Sequence, residues 1–188
     1  MKELWKKRRE LVEAALAEEL AKTPVLDATL RASMEYSLMA GGKRLRPILL
    51  MAAADAVGAD GTKFLSVACA LEMIHSYSLI HDDLPAMDDD ALRRGKATNH
   101  VVYGDGIAIL AGDALLTLAF TVILRQKDVP AETLLRVVDE ISRAAGAEGM
   151  VGGQALDLEA ENRQITMEEL RSVHRGKTGA LFCAALRS

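Results

Sequence analysis

Residues 64–90 read FLSVACALEMIHSYSLIHDDLPAMDDD. Phe64, Val67, Ala68, Leu71, Ile74, His75 and Ser78 recur at three- and four-residue steps, the period of one helix face. The stretch ends in five carboxylates within nine positions, Asp82 to Asp90. Pro85 disfavours helix in the residue before it, so the spacing predicts a long apolar helix that stops or bends there. Carboxylates this crowded repel one another unless a cation sits among them. A few hard oxygen ligands, with room left for waters and phosphate oxygens, suit Mg²⁺. Asp82 and Asp88 would not share a face of an ideal helix, because six steps is not a helical repeat. A break at Pro85 lets both converge on one metal. The run is not an EF-hand loop, which needs a central glycine and a terminal glutamate. His75 lies two turns before Asp82 and on the same side.

Toward the N-terminus stands Gly41-Gly42-Lys43-Arg44-Leu45-Arg46-Pro47. Glycines let a backbone approach an anion closely. The three cations flank a predicted helix start, with Pro47 in its first turn and a dipole that favours anions. A P-loop would need a glycine at position 37, which is Ser37, and Gly176-Lys177-Thr178 fails the same test at Arg171. Just after the acids comes Arg93-Arg94-Gly95-Lys96, and arginine is suited to bidentate phosphate binding. In the last predicted helix Leu170, Val173, His174, Lys177 and Leu181 share a face. A lysine in such a stripe either reaches out to water or meets an anion.

The remaining pattern is helical too. Leu4, Trp5, Leu11, Val12, Leu16 and Leu20 make an amphipathic first helix, and Val25 to Met39 a second, closed by Gly41-Gly42. A loop is expected from Arg93 to Asp105, then an apolar helix over 107–124, then one from Pro130 to Ala145. Glycines 146, 149, 152 and 153 interrupt or bend the chain beyond it. Thr166 and Glu169 fit a capping box opening the last helix. Strand alternation is absent. The expectation is a single all-α domain over 1–188, an antiparallel bundle. Residues 107–124 are long enough to span a membrane, but Asp113 sits in the middle, and a central helix surrounded by neighbours is the better reading.

The chain has 188 residues, half of them apolar, and a formal net charge of -4. That balance argues against a general nucleic-acid binder. Cys69 and Cys183 lack metal-ligand spacing and read as reduced thiols of a cytoplasmic protein. The charged N-terminus has no secretory apolar region.

GGKRLRP, EMIHSYSLIHDDLPAMDDDALRRGKATNH, AILAGDALLTLAF, GMVGGQALDLEAE and HRGKTGALF, in this order, resemble the trans-prenyl diphosphate synthases, most closely the bacterial farnesyl diphosphate synthases. The resemblance implies an isoprenoid-synthase bundle around a central cavity, usually a homodimer. It implies that Asp82 and Asp88 bind Mg²⁺, with Asp83 beside them, and that Arg93 binds the allylic diphosphate. Gly42, Lys43, Arg46, His75 and Arg94 become the isopentenyl diphosphate site. Lys177 and Thr178 face the bond that breaks, and Gln154 and Asp157 hold metal-bound water. Tyr77, with Ser78, floors the cavity and goes with a C15 product. The implied reaction joins isopentenyl diphosphate to dimethylallyl or geranyl diphosphate through an allylic carbocation. Position 91 is Ala where the family often has another Asp. The family continues into helices bearing a second Asp-rich motif, which is not in this sequence, so this chain alone is expected to be impaired. A geranylgeranyl or other short-chain synthase, a non-catalytic synthase-like subunit and a calcium-binding acidic module stay open; the last leaves Lys43, Arg46, Arg93 and Arg94 unexplained.

Overall fold

A computed structural model describes residues 2–188. They form helices α1 (Lys2–Lys22), α2 (Ala28–Leu38), α3 (Leu45–Ala56), α4 (Leu65–Asp82), α5 (Asn99–Tyr103), α6 (Asp105–Ile123), α7 (Ala131–Ala145), α8 (Met150–Ala160), α9 (Met167–Val173) and α10 (Ala180–Arg187). A 3₁₀ turn (Gly61–Phe64) leads into α4, and a π-helical turn (His174–Gly179) joins α9 to α10. The fold is all-helical, as the periodicity predicts.

Helix α4 is the axis of the domain. Leu71, Met73 and Ile74 are wholly buried, and Ile80 nearly so. It lies along α6, whose Leu115, Ala119 and Ile123 are equally buried, and it is flanked by α1, α2 and α3. A helix apolar on most sides needs neighbours on most sides. Each fully buried Leu, Ile or Met contributes about 1.5–3 kcal/mol. Both α6 and the span Gly61–Asp82 are long and apolar enough to cross a membrane, with 44% and 61% of their most apolar windows buried inside the protein. Together they form the centre of the helical core.

Local chemistry sets the helix ends. Asp27 accepts a hydrogen bond from the Leu30 amide at 2.8 Å and starts α2, so the second helix begins three residues later than Val25. Pro47 falls in the first turn of α3. Thr166 and Glu169 make the expected capping box of α9, an arrangement worth about 1 kcal/mol.

Three expectations need correction. Residues 93–105 are not a plain loop. Antiparallel strands β1 (Leu92–Arg93) and β2 (Lys96–Ala97) form a hairpin, followed by α5. Its turn residues Arg94 and Gly95 have φ of 53° and 77°, the backbone twist that a two-residue hairpin favours. Tyr36 donates to the Ala97 carbonyl at 2.7 Å, and buried Asn99 donates to the Ser33 carbonyl at 2.9 Å, fastening this region to α2. Second, Leu4 and Leu11 of α1 are exposed; the buried stripe runs through Arg8, Val12, Leu16 and Leu20, at steps of four. Third, the last helix does not keep one phase, because its π turn inserts an extra residue per turn between Val173 and Ala180.

Candidate active site

The acidic run is a tight reversal at the end of α4. The Met87 amide donates to the Leu84 carbonyl, and the Asp88 amide returns to the Asp82 carbonyl at 2.9 Å. Six sequence steps are thereby folded back, and Asp82 and Asp88 become neighbours. Asp82 is half-buried and Asp88 exposed. Burial pushes the Asp82 carboxyl up to about 6; nearby Lys177 works against the rise and the Asp88 charge adds to it. Among the described residues no three His, Cys, Asp or Glu side chains gather as a closed metal cage. Two adjacent carboxylates, one short of compensating charge and both open to an incoming ligand, fit Mg²⁺, which takes one or two carboxylates and completes its shell with water and phosphate.

Asp83 faces elsewhere. It is 4% exposed and grips Arg93, whose Nε donates to Oδ1 at 2.7 Å while its terminal nitrogen lies 2.5 Å from the same oxygen. The Asp83 hydrogen bond raises the Arg93 pKa. The pair lines a small cleft together with Arg94 and Asn99. Consecutive residues on a helix point about 100° apart, which separates Asp83 from Asp82.

Asp82 opens onto a cavity of about 570 Å³. Along α4 its wall carries Tyr77, Ser78 and His75; on the far side are Gln154, Lys177 and Thr178. Tyr77 is 5% exposed, and its ring meets His81 edge-on at 5.7 Å between centroids. His81 in turn bonds the Ile109 carbonyl at 3.0 Å, in space that a side chain at Gly112 would take. Lys177 Nζ lies 2.6 Å from Asp157. Burial works against its ammonium, but the Asp157 hydrogen bond, with the charges of Asp157, Asp82 and Asp88, leaves its pKa raised. Gly153 of α8 packs against Gly176 and the Lys177 backbone, so only glycines permit this crossing. Gln154 has both amide atoms buried without a partner among the described residues, an unmet capacity at the cavity wall.

A second cavity, of about 710 Å³, adjoins the first, and Arg46 and His75 border both. It is lined by Gly42, Lys43, Arg44 and Arg94. Arg44 is 3% exposed, with φ of 49°. It donates to buried Glu72 at 2.8 Å and to the Leu38 carbonyl at 2.9 Å. That clamp sets the course of the Gly41–Arg46 loop. Gly42 has φ of 150°, and a Cβ there would meet the Arg94 guanidinium. Arg94 also donates to the Gly41 carbonyl. Among the described residues Arg46 has no carboxylate partner; its guanidinium carbon lies 4.6 Å over the Phe182 ring. Burial, followed by the charges of Arg46 and Arg94, depresses the His75 pKa to about 3. With no anion in the cavity, the His75 imidazole is therefore neutral near pH 7.

The structure thus brings Asp82, Tyr77, Ser78, Gln154, Lys177 and Thr178 to one cavity, with Asp88 beside Asp82. It brings Gly42, Lys43 and Arg94 to the other, with Arg46 and His75 at the junction. Sequence reasoning missed Glu72 and Phe182. Glu72 sits inside the apolar run of α4, and an acid there signals a buried cation partner. Phe182 had no signal beyond its place in HRGKTGALF.

The polyprenyl synthetase family model matches residues 27–188. The chain is 54% identical over 180 residues to the farnesyl diphosphate synthase of Bacillus subtilis (strain 168), a match covering 94% of this chain and 60% of that protein. It is 48% identical over 186 residues to the geranylgeranyl diphosphate synthase of Cyanophora paradoxa, covering 96% and 60%. A crystal structure of a geranyltransferase from Legionella pneumophila superposes with a TM-score of 0.95 at 39% identity, covering 99% of this chain and 66% of that one. The chain spans about 60% of the length of these curated relatives. A helical cavity bordered by Asp82, with Asp88 beside it, adjoining a cationic cavity, together with these matches, means that the chain belongs to the polyprenyl synthetase family.

Proposed function

We propose that this chain is the substrate-binding portion of a short-chain prenyl diphosphate synthase that makes farnesyl diphosphate. The observation that carries the reading is the pair of adjoining cavities. One carries Asp82, with Asp88 beside it, and a largely apolar wall that includes Lys177 and Thr178; the other is cationic, and they meet at Arg46 and His75. Two anionic substrates, one of which must ionise, need such an arrangement.

Dimethylallyl or geranyl diphosphate occupies the first cavity, its apolar tail along α4. Magnesium, when bound by Asp82 and Asp88, neutralises the departing diphosphate and so lowers the cost of ionisation. Arg93 keeps one terminal nitrogen outside its Asp83 pairing and offers it to phosphate. Lys177 exchanges Asp157 for a phosphate oxygen, and Thr178 adds a hydroxyl. The carbon–oxygen bond of the allylic substrate breaks, and the electron pair leaves with diphosphate. Isopentenyl diphosphate, held by Lys43, Arg46, Arg94 and His75 with the Gly42 backbone close by, presents its double bond to the allylic cation. A new carbon–carbon bond forms, and the departed diphosphate takes up the proton that leaves the resulting cation. The apolar wall keeps water from quenching the cation. Tyr77 closes the cavity floor and favours a C15 product. Gln154, with Asp157, would hold water beside a metal bound at Asp82 and Asp88.

Relatives of similar identity bear both farnesyl and geranylgeranyl names, so a C20 product is the second reading. Exposed Val101, Val102 and Leu110 on α5 and α6 support a second copy of the chain as partner. The test incubates labelled isopentenyl diphosphate and dimethylallyl diphosphate with the 188-residue chain, and with a chimera adding the remaining C-terminal part of the B. subtilis relative. The reading expects Mg²⁺-dependent C15 product from the chimera and much less from the chain alone. A chimera that stays inactive while binding both substrates would favour a non-catalytic subunit.

A further inference from the structure

We propose that Arg9, on α1, is a further ligand of the anion in the cationic cavity. The proposal rests on the reading of that cavity as the isopentenyl diphosphate site.

Arg8 and Arg9 are adjacent in sequence, but their guanidinium groups have different surroundings. Arg8 is buried and paired with Asp55 across α1 and α3. Arg9 is turned about 100° around the helix and lines the cavity with Lys43, Arg46 and Arg94. Among the described residues no carboxylate lies within 4.0 Å of the Arg9 guanidinium, and its neighbours in the cavity, Lys43 and Arg46, are equally without one. The Arg9 Nε is buried and has no hydrogen-bond partner among the described residues. The one acid on the cavity wall, Glu72, is engaged by Arg44 at 2.8 Å. Arg9 therefore stands as a donor-bearing cation in a space already rich in unpaired positive charge. Like charges gathered this way disfavour the empty cavity. They become favourable when a multiply charged anion enters, since arginine meets phosphate through charge-assisted bonds. Charge placed for binding rather than for stability leaves a particular mark: its removal weakens the ligand and does not weaken the fold.

The test titrates inorganic pyrophosphate, then isopentenyl diphosphate, into the 188-residue chain by calorimetry without divalent metal, and melts each ligand-free variant. Arg9→Gln is expected to weaken both ligands by about ten- to a hundredfold, the scale of one charge-assisted hydrogen bond. Arg9→Lys is expected to recover part of the loss, and the ligand-free melting temperature of Arg9→Gln to stay level or rise. Lys43→Gln is the reference for the cavity itself. If Lys43→Gln weakens binding and Arg9→Gln does not, the inference fails while the reading of the cavity stands. If neither weakens it, or the unaltered chain binds no pyrophosphate, the reading fails and takes the inference with it. A lowered melting temperature for Arg9→Gln, with binding that Arg9→Lys does not recover, assigns Arg9 to structure and also overturns the proposal.

Discussion

Lys177 Nζ sits 2.6 Å from Asp157 Oδ2, across the crossing where Gly153 of α8 meets Gly176 of the π turn. The lysine is thereby charged, held in one place, and aimed at the cavity that Asp82 borders. Its carboxylate partner is partly open to water, so the pair adds no more than about 1 kcal/mol to stability. Its value lies in position.

Asp157→Asn should accordingly cost little in stability and much in turnover. Urea unfolding of the variant is expected to shift by less than about 1 kcal/mol. In the active chimera kcat/KM for the allylic substrate is expected to fall by about tenfold or more. A large loss of stability with unchanged kcat/KM would make the pair an ordinary structural bridge.

Asp82 gives a pH prediction whose sign follows from burial. Its folded-state pKa is about 6, above the usual 3.8. Between those values the folded chain holds a proton that the unfolded chain has released, so stability falls as pH rises through 4 to 6. Asp82→Asn should remove this contribution and raise the metal-free melting temperature at pH 7.5, with little change at pH 4. Mg²⁺ should stabilise the unaltered chain more at pH 8 than at pH 5, since it competes with the proton. Equal shifts at both pH values would contradict the assignment.

Tyr77 is almost wholly buried yet borders the cavity. Tyr77→Ser should deepen the cavity and move the chimera's product from C15 toward C20 and beyond, read by chromatography of the dephosphorylated alcohols. The same change should cost about 3–5 kcal/mol of stability, as large-to-small core substitutions do. An unchanged C15 product from a folded variant would remove Tyr77 from the account of chain length.

Phe182 supports Arg46 without neutralising it, since a ring face attracts a cation and leaves its N–H groups free. Phe182→Leu should raise KM for isopentenyl diphosphate about three- to tenfold at nearly constant kcat, whereas Phe182→Tyr, which keeps the ring, should not. Equal effects of the two would reduce the contact to packing.

Much of this arrangement was legible in the residues. The three- and four-step spacing of residues 64–78 marked α4, Pro85 marked its end, and Thr166 with Glu169 marked the start of α9. Other features depend on angles that residue types alone do not reveal. The Arg94-Gly95 hairpin turn needs a non-glycine residue at positive φ, an uncommon state with no compositional sign. The π turn shifts the phase of the last helix by one residue, and the 3.6-residue template used to place Lys177 cannot register it. Asp83 reads as one of a run of acids. Only the end of α4 decides that it turns toward Arg93 while Asp82 turns to the cavity.

The most direct measurement is a crystal structure of the chain, or its active chimera, with Mn²⁺, a non-ionising allylic diphosphate analogue and isopentenyl diphosphate, with the metal located by anomalous scattering. The account predicts manganese between the Asp82 and Asp88 carboxylates, touching the analogue's diphosphate. It predicts the second diphosphate against Lys43 and Arg46. Manganese bound elsewhere, or both diphosphates in one cavity, would contradict it.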